Sequence, residues 1–471
     1  MNLTAINKEI SPAAAAAAVA AAGAGKAITR NLLWMSWSGA VSIANSLLVW
    51  VFMARMRDVE ELGRFTIVMG LYALFFGVCS LGLTPYLVSE ISRRIARKND
   101  GDSDGDGESA ESGDTISGFI GSASVFLLIS GVCCAALMAA CGFLASESWS
   151  VRLSTLILSL AIIPTGLIGV GEATALSFGR TRFIAYVTTL ENILRTIIPL
   201  GLIWLGFDIS VICVSFVAVR VLALAVYLPA AGKYLSRLAF SADDFWRIFK
   251  VAPTFAGTII LASINWQAVI ILLGHFSTEV ESAKYGVASR FLVPVSILMA
   301  SYANVIQPAI AQFTRKSSAN SGLYLSRMAS YPLILSTAAA ILSPFLSERV
   351  LVGFFGETYA GVAPTLDILA LSVVPFCLVM VVARALVATG EQHIDLLANA
   401  LGVAACFAAG LLLIPEYGAK GAALAQLFSF VLMALLEIGY LSKKIVGFKV
   451  WHAASLSTLC VSLAYIILWK Y

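Results

Sequence analysis

Apolar residues in this chain fall in long blocks separated by short polar breaks, from Leu33 to Trp469. A bilayer core takes about 20 apolar residues per helix. Backbone groups cannot stay unpaired in lipid, so blocks of this length read as membrane helices. The pattern predicts about thirteen spans, at 33–54, 65–87, 116–144, 153–170, 183–205, 209–228, 251–273, 291–311, 328–346, 366–387, 394–414, 422–440 and 453–469. The expected fold class is an all-α integral membrane protein. Every break is short, the longest lying around residues 90–115 and 229–250, which leaves no room for a soluble catalytic domain.

Charge placement orients the spans. With the N-terminus in the cytoplasm, nineteen lysines and arginines fall in inside segments. Eight fall outside: Arg55, Arg57, Arg64, Arg152, Lys284, Arg349, Lys420 and Lys470. The inside excess follows the positive-inside rule and supports both orientation and span number. An alanine run between Lys8 and Lys26 imitates a signal-peptide core, but Lys26 and Arg30 stand where a cleavage site belongs. Residues 1–30 are read as a cytoplasmic tail.

The basic segment 231–250 divides the spans into two sets of six. The resulting organisation is a first six-helix bundle at 31–230, a linker at 231–250, a second bundle at 251–442 and an extra span within 443–471. The halves look alike. Ala175-Leu176-Ser177-Phe178-Gly179 precedes the fifth span, and Leu386-Val387-Ala388-Thr389-Gly390 precedes the eleventh. Six-span repeats in one orientation are related by an axis along the membrane normal, a design that places substrate near midplane between the halves.

Composition agrees with this picture and narrows the chemistry. The chain is 59% hydrophobic and 12% charged, half the charge of a typical soluble domain, with a mean hydropathy of +0.90. All eight cysteines lie in apolar blocks without a CxxC, so they read as buried thiols. No metal site, catalytic cluster or cofactor is expected. Gly25-Lys26-Ala27 fails as a phosphate loop, because Ala20 stands where the first glycine belongs and no Ser/Thr follows the lysine. Residues 100–111 match a calcium-loop pattern through Asp100, Asp102, Asp104, Gly105 and Glu111. Gly107 occupies the place of its apolar anchor, and the acid and glycine content fits a solvated linker. Nothing suggests a nucleic-acid partner.

Four of the 31 basic residues remain inside spans: Arg195, Arg220, Arg290 and Arg384. A charge at mid-bilayer costs about 3 kcal/mol on insertion scales, so such residues face protein or water. Arg195 and Arg220 fall near the middles of the fifth and sixth spans, Arg290 near an outer end and Arg384 near a cytoplasmic end. Glu191 precedes Arg195 by one helical turn, so the pair is either a neutral lock or part of a polar cavity. Arg220 has no acid near it on its own helix and is the stronger candidate for lining a cavity. Arg290 and Arg384 either line it or snorkel toward the interface. Asp367, Glu172 and Glu437 lie near span ends and read as interfacial. Asn265, Trp266 and Gln267 in the seventh span either line a cavity or bond between helices. Prolines within spans, among them Pro199, Pro253 and Pro375, are candidate hinges or ordinary membrane-helix prolines.

Several strings carry a family resemblance. They are Met53-Ala54-Arg55 with Glu61-Leu62-Gly63-Arg64-Phe65, Leu81-Gly82-Leu83 with Ser89-Glu90-Ile91-Ser92-Arg93, Tyr285-Gly286-Val287-Ala288-Ser289-Arg290, and Leu412 through Ala423 around Pro415 and Gly418. Over roughly residues 30–445 the chain resembles the polysaccharide-export flippases of the multidrug/oligosaccharidyl-lipid/polysaccharide exporter superfamily. The resemblance implies two six-helix bundles around a central, often cationic cavity in a bacterial inner membrane. It implies a non-enzymatic role: flipping an oligosaccharide on undecaprenyl pyrophosphate from the cytoplasmic to the outer leaflet. The implied partners are this lipid-linked glycan, membrane lipids and polymerase or export machinery, with the chain acting as a monomer.

The embedded arginines suit that cargo, since arginine stays charged and grips phosphate with two parallel hydrogen bonds. The substrate-binding residues expected are therefore Arg220, Arg195, Glu191, Arg290 and Arg384. An alternative is a cation-coupled drug antiporter of the same superfamily. Such transporters typically use a buried carboxylate in the first span, and 33–54 holds no Asp or Glu. A membrane enzyme of glycan assembly is the other alternative. The short outer loops and the scattered His275, His393 and His452 argue against it.

Overall fold

The computed structural model describes residues 47–101, 109–230, 239–316 and 318–445, together with 41, 44, 45 and 448. Among these residues every regular element is a helix. In chain order they are α1 (Leu47–Met56), α2 (Val59–Cys79), α3 (Thr84–Gly101), α4 (Ser109–Ala145), α5 (Trp149–Ser159), α6 (Ile162–Ser177), α7 (Thr181–Trp204) and α8 (Ile209–Ala230). Then come α9 (Ala242–Phe276), α10 (Glu279–Ser289), α11 (Leu292–Lys316), α12 (Ser318–Phe355), α13 (Ala363–Ala388) and α14 (Gln392–Lys444). Among the described residues, nine helical runs are long and apolar enough to cross a membrane, or ten if α10 and α11 form one bent span. The chain is an all-α multi-pass membrane protein. The tail at 1–30, the calcium-like acidic stretch at 102–108 and the last expected span at 453–469 lie outside the described residues.

Several spans differ from the sequence pattern in informative ways. The stretch predicted at 65–87 becomes α2 and α3, broken where Leu81 and Gly82 take left-handed backbone, φ 48° and 65°. The stretch at 291–311 begins earlier, at Glu279, with a 41° bend between α10 and α11. Hydropathy hides α10 because it is built of small residues. Ser282, Ala283, Gly286 and Ala288 are buried, and small side chains let membrane helices approach closely. α9 begins at Ala242, where the Ser241 side chain accepts from the Asp244 amide and Asp243 and Asp244 occupy the first turn. That is the signature of a capped helix start. Cys133 is exposed on the bundle surface, whereas Cys79, Cys134, Cys213, Cys377 and Cys406 are buried as expected.

The two halves meet along α2. Gly63, Gly70 and Gly77 recur every seventh residue and so lie on one face. A Cβ at Gly70 would sit 2.6 Å from Ile270 Cγ2, one at Gly77 would sit 2.5 Å from Ser263 Oγ, and one at Gly63 would collide with the Glu279 carbonyl. α2 therefore runs antiparallel to α9 and the start of α10, against side chains of α9 at Gly70 and Gly77 and against backbone at Gly63. This seam joins the first half of the chain to the second.

Candidate functional site

The fifth and sixth predicted spans fold as α7 and α8, and they bring three charged side chains together. Glu191 and Arg220 are buried at 8% and 7% exposure, and a short contact joins Arg220 Nη1 to Glu191 Oε1. Arg220 Nε also donates to Thr165 Oγ1 on α6 at 3.2 Å. Arg195 reaches the same Glu191 oxygen at 3.7 Å. One carboxylate is thus shared by two guanidinium groups. Their flat faces rest on aromatic rings, as cations do: Arg220 lies 4.9 Å from the centre of Phe76, and Arg195 lies 5.1 Å from Phe216 and 6.0 Å from Tyr72. Arg195 keeps 21% side-chain exposure against 8% for Arg220, so Arg195 offers the more open face. Glu172 lies close by on α6, accepting from the Tyr227 hydroxyl at 3.4 Å.

The other two predicted arginines sit elsewhere. Arg290, at the bend between α10 and α11, lies 3.9 Å from the centre of the Trp50 ring on α1. It ties the second half to the first by packing. Arg384 on α13 has a buried Nε without a hydrogen-bond partner and lies in the field of Asp395. Asp395 accepts from Asn399 Nδ2 at 3.0 Å. Glu437, read from sequence as interfacial, is instead fully buried, with its carboxyl paired against that of Asp395. The five expected residues therefore divide into one triad and two separate positions.

In α9, Asn265 resolves to interhelical bonding. Its Oδ1 accepts from Ser429 Oγ at 2.9 Å and from Gln426 Nε2 at 3.5 Å on α14. Trp266 packs against Phe376 and Phe430, with ring centres 5.3 and 5.9 Å away.

Sequence reasoning missed a second ionic network at one end of the seam. Glu90 on α3 is 5% exposed and accepts from Arg93 at 2.6 Å, Arg94 at 3.0 Å and, across the seam, Arg247 of α9 at 3.3 Å. Arg94 forks onto both oxygens of Asp244, at 2.5 and 3.0 Å. The helical spacing of Glu90 with Arg93 and Arg94 was a visible signal; the cross-helix partners were not. At the opposite end of the seam, Arg64 of α2 meets Glu279 of α10 at 2.6 Å.

The outside arginines of the sequence map also acquire roles. Arg55 donates to the Gly353 and Phe354 carbonyls at 2.5 and 2.8 Å. Arg57 donates to Phe207 O at 2.7 Å and Arg152 to Ser146 O at 3.0 Å. Each satisfies carbonyls at or just past a helix C-terminus, the negative end of its dipole.

The profile of the polysaccharide biosynthesis protein family matches residues 28–314, which is more than half of the chain. The chain belongs to that family. No curated protein matches the sequence. Among solved structures, a lipid II flippase MurJ in an inward closed conformation is similar at TM-score 0.71 and 15% identity, over 93% of each chain. An inward-facing multidrug resistance MATE family transporter of the MOP superfamily is similar at TM-score 0.65 and 14% identity, over 90% of this chain and 95% of that one. A MOP superfamily transporter from Pyrococcus furiosus gives TM-score 0.57 at 14% identity, over 90% and 96%. At these identities the likeness establishes the fold, that of the MOP-superfamily transporters. In this family member the triad lies within the first half and the Glu90 network at one end of the seam.

Proposed function

We propose that the chain is a flippase. It moves an oligosaccharide on undecaprenyl pyrophosphate from the cytoplasmic to the outer leaflet of a bacterial inner membrane, by alternating access, for cell-surface polysaccharide assembly. The observation that carries this reading is the Glu191–Arg195–Arg220 triad, set within spans of a polysaccharide biosynthesis family member. Two guanidiniums on one carboxylate leave donors for an anion, and the aromatic rings hold those guanidiniums in place. A bare phosphate in hydrocarbon would cost tens of kcal/mol by Born estimates. Fixed guanidinium groups lower that barrier for the head group while the polyprenyl tail stays in lipid. The inside-negative potential helps an anion outward by about 2.3 kcal/mol per charge per 100 mV.

The antiporter reading draws on the MATE-like neighbours, but the first predicted span, 33–54, holds no Asp or Glu. The flippase reading is tested by deleting the gene, which should trap lipid-linked oligosaccharide in the cytoplasmic leaflet. Complementation with Arg220→Gln should restore no polymer while leaving normal amounts of protein in the membrane, because Arg195 still partners Glu191. Glu191→Gln with Arg220→Gln removes the buried charge mismatch. Polymer export by that double variant would show that Arg220 is structural and remove it from the site.

A further inference from the structure

Of the features outside the triad, the Glu90 network is the one whose chemistry matches the proposed cargo. Three arginines, Arg93, Arg94 and Arg247, converge on two carboxylates, Glu90 and Asp244. The partners come from both sides of the seam. Arg93 and Arg247 keep nearly half of their side-chain surface exposed, 46% and 47%, while Glu90 is almost wholly covered. The Tyr86 hydroxyl is buried in the field of these groups and has no hydrogen-bond partner among the described residues. The start of α9 is further pinned to α4, where Ser122 Oγ donates to Ser241 O at 2.8 Å.

We infer that this network is a latch on the cytoplasmic mouth, opened by a diphosphate head group that takes over its arginines. The inference rests on the flippase reading above. A pyrophosphate diester carries about two negative charges, as Glu90 and Asp244 do together, so it can compete with them for the three arginines, two of which are already half exposed. A diphosphate diester offers as many charged acceptor oxygens as the two carboxylates but holds them in one compact group, and guanidinium groups match phosphate geometry bidentately. It also supplies the acceptor that the Tyr86 hydroxyl lacks. Exchange frees Asp244 from Arg94 and Glu90 from Arg247, the ionic ties between α3 and α9 among the described residues, and leaves the Tyr86–Phe255 ring contact between them. A ligand shifts such an equilibrium only by its preference for one state. Here the preference is direct, because the closed latch has already committed the donors the anion needs.

Hydrogen–deuterium exchange on the full chain in lipid nanodiscs tests this at residues 88–96 and 239–250. Undecaprenyl pyrophosphate should raise exchange in both segments several-fold, whereas undecaprenol should leave them unchanged. Inorganic pyrophosphate as a further arm tells a soluble diphosphate from a lipid head group. Opening by it at equal concentration would assign the latch to free anions and overturn the head-group assignment. Glu90→Gln with Asp244→Asn should show the raised exchange without ligand. A thermal shift of the protein with undecaprenyl pyrophosphate but not with undecaprenol, together with unchanged exchange at these segments, overturns the latch and leaves the flippase reading standing. Neither a thermal shift nor a change in exchange overturns both.

Discussion

At the residue scale, the membrane-embedded charges fall into different physical situations. Glu191 and Arg220 form a buried pair with a second guanidinium in reach. Breaking a buried pair by removing one partner costs about 3–5 kcal/mol, because it strands the other charge. Glu191→Ala strands two guanidiniums and should lower the unfolding temperature, as a thermal melt in nanodiscs would read, whereas Arg220→Gln leaves Glu191 paired with Arg195 and should melt near the parent. If the two variants melt alike, the triad is not the electrostatic unit described here. Arg290 is held by the Trp50 ring, which a lysine, lacking a flat delocalised face, stacks on less well. The Glu191–Arg195 neighbourhood was legible in the sequence, since one helical turn separates them. The partner of Arg220 was not, because it depends on how α8 is rotated against α7.

At the element scale, backbone approach rather than side-chain bulk shapes the second half. Gly418 interrupts α14 with φ 53° and ψ −124°, a conformation open to glycine and costly to other residues. Glu281 of α10 then accepts from the Ala419 amide at 2.8 Å, capping the helix that restarts there. Gly418→Ala should cost about 1–3 kcal/mol through backbone strain, besides driving its methyl group against the Glu281 carboxylate. Loss of thermal stability well beyond that of a Gly439→Ala control, where a Cβ meets nothing within 4 Å, would bear this out; equal stability would refute it. The turn at Pro415 and Gly418 was readable as a break between two spans. The involvement of α10 was not, because its small residues carry little hydropathy.

At the scale of the whole molecule, the seam along α2 is tied at both ends by charge and in the middle by glycine contact. The two ends differ. Arg64 and Glu279 are 33% and 22% exposed, and pairs of that kind contribute about 1 kcal/mol at most. The Glu90 end is more buried and more connected. Arg64→Glu alone should therefore loosen the seam at α10 by roughly fivefold in exchange rate, the population ratio for about 1 kcal/mol. The double reversal Arg64→Glu with Glu279→Arg should restore it. A double variant no tighter than the single one would show that the pair does not hold the seam.

The sequence by itself determined that this is an all-α multi-pass membrane protein. It also nominated the embedded arginines, because the hydrophobic cost of membrane insertion is written locally, block by block and charge by charge. Which charges meet was decided only by tertiary structure. Pairings such as Arg220 with Glu191, Arg94 with Asp244 and Glu437 with Asp395 depend on helix rotation and depth. Both are set by the packing of small residues between helices, which leaves no mark on the hydropathy of any one of them.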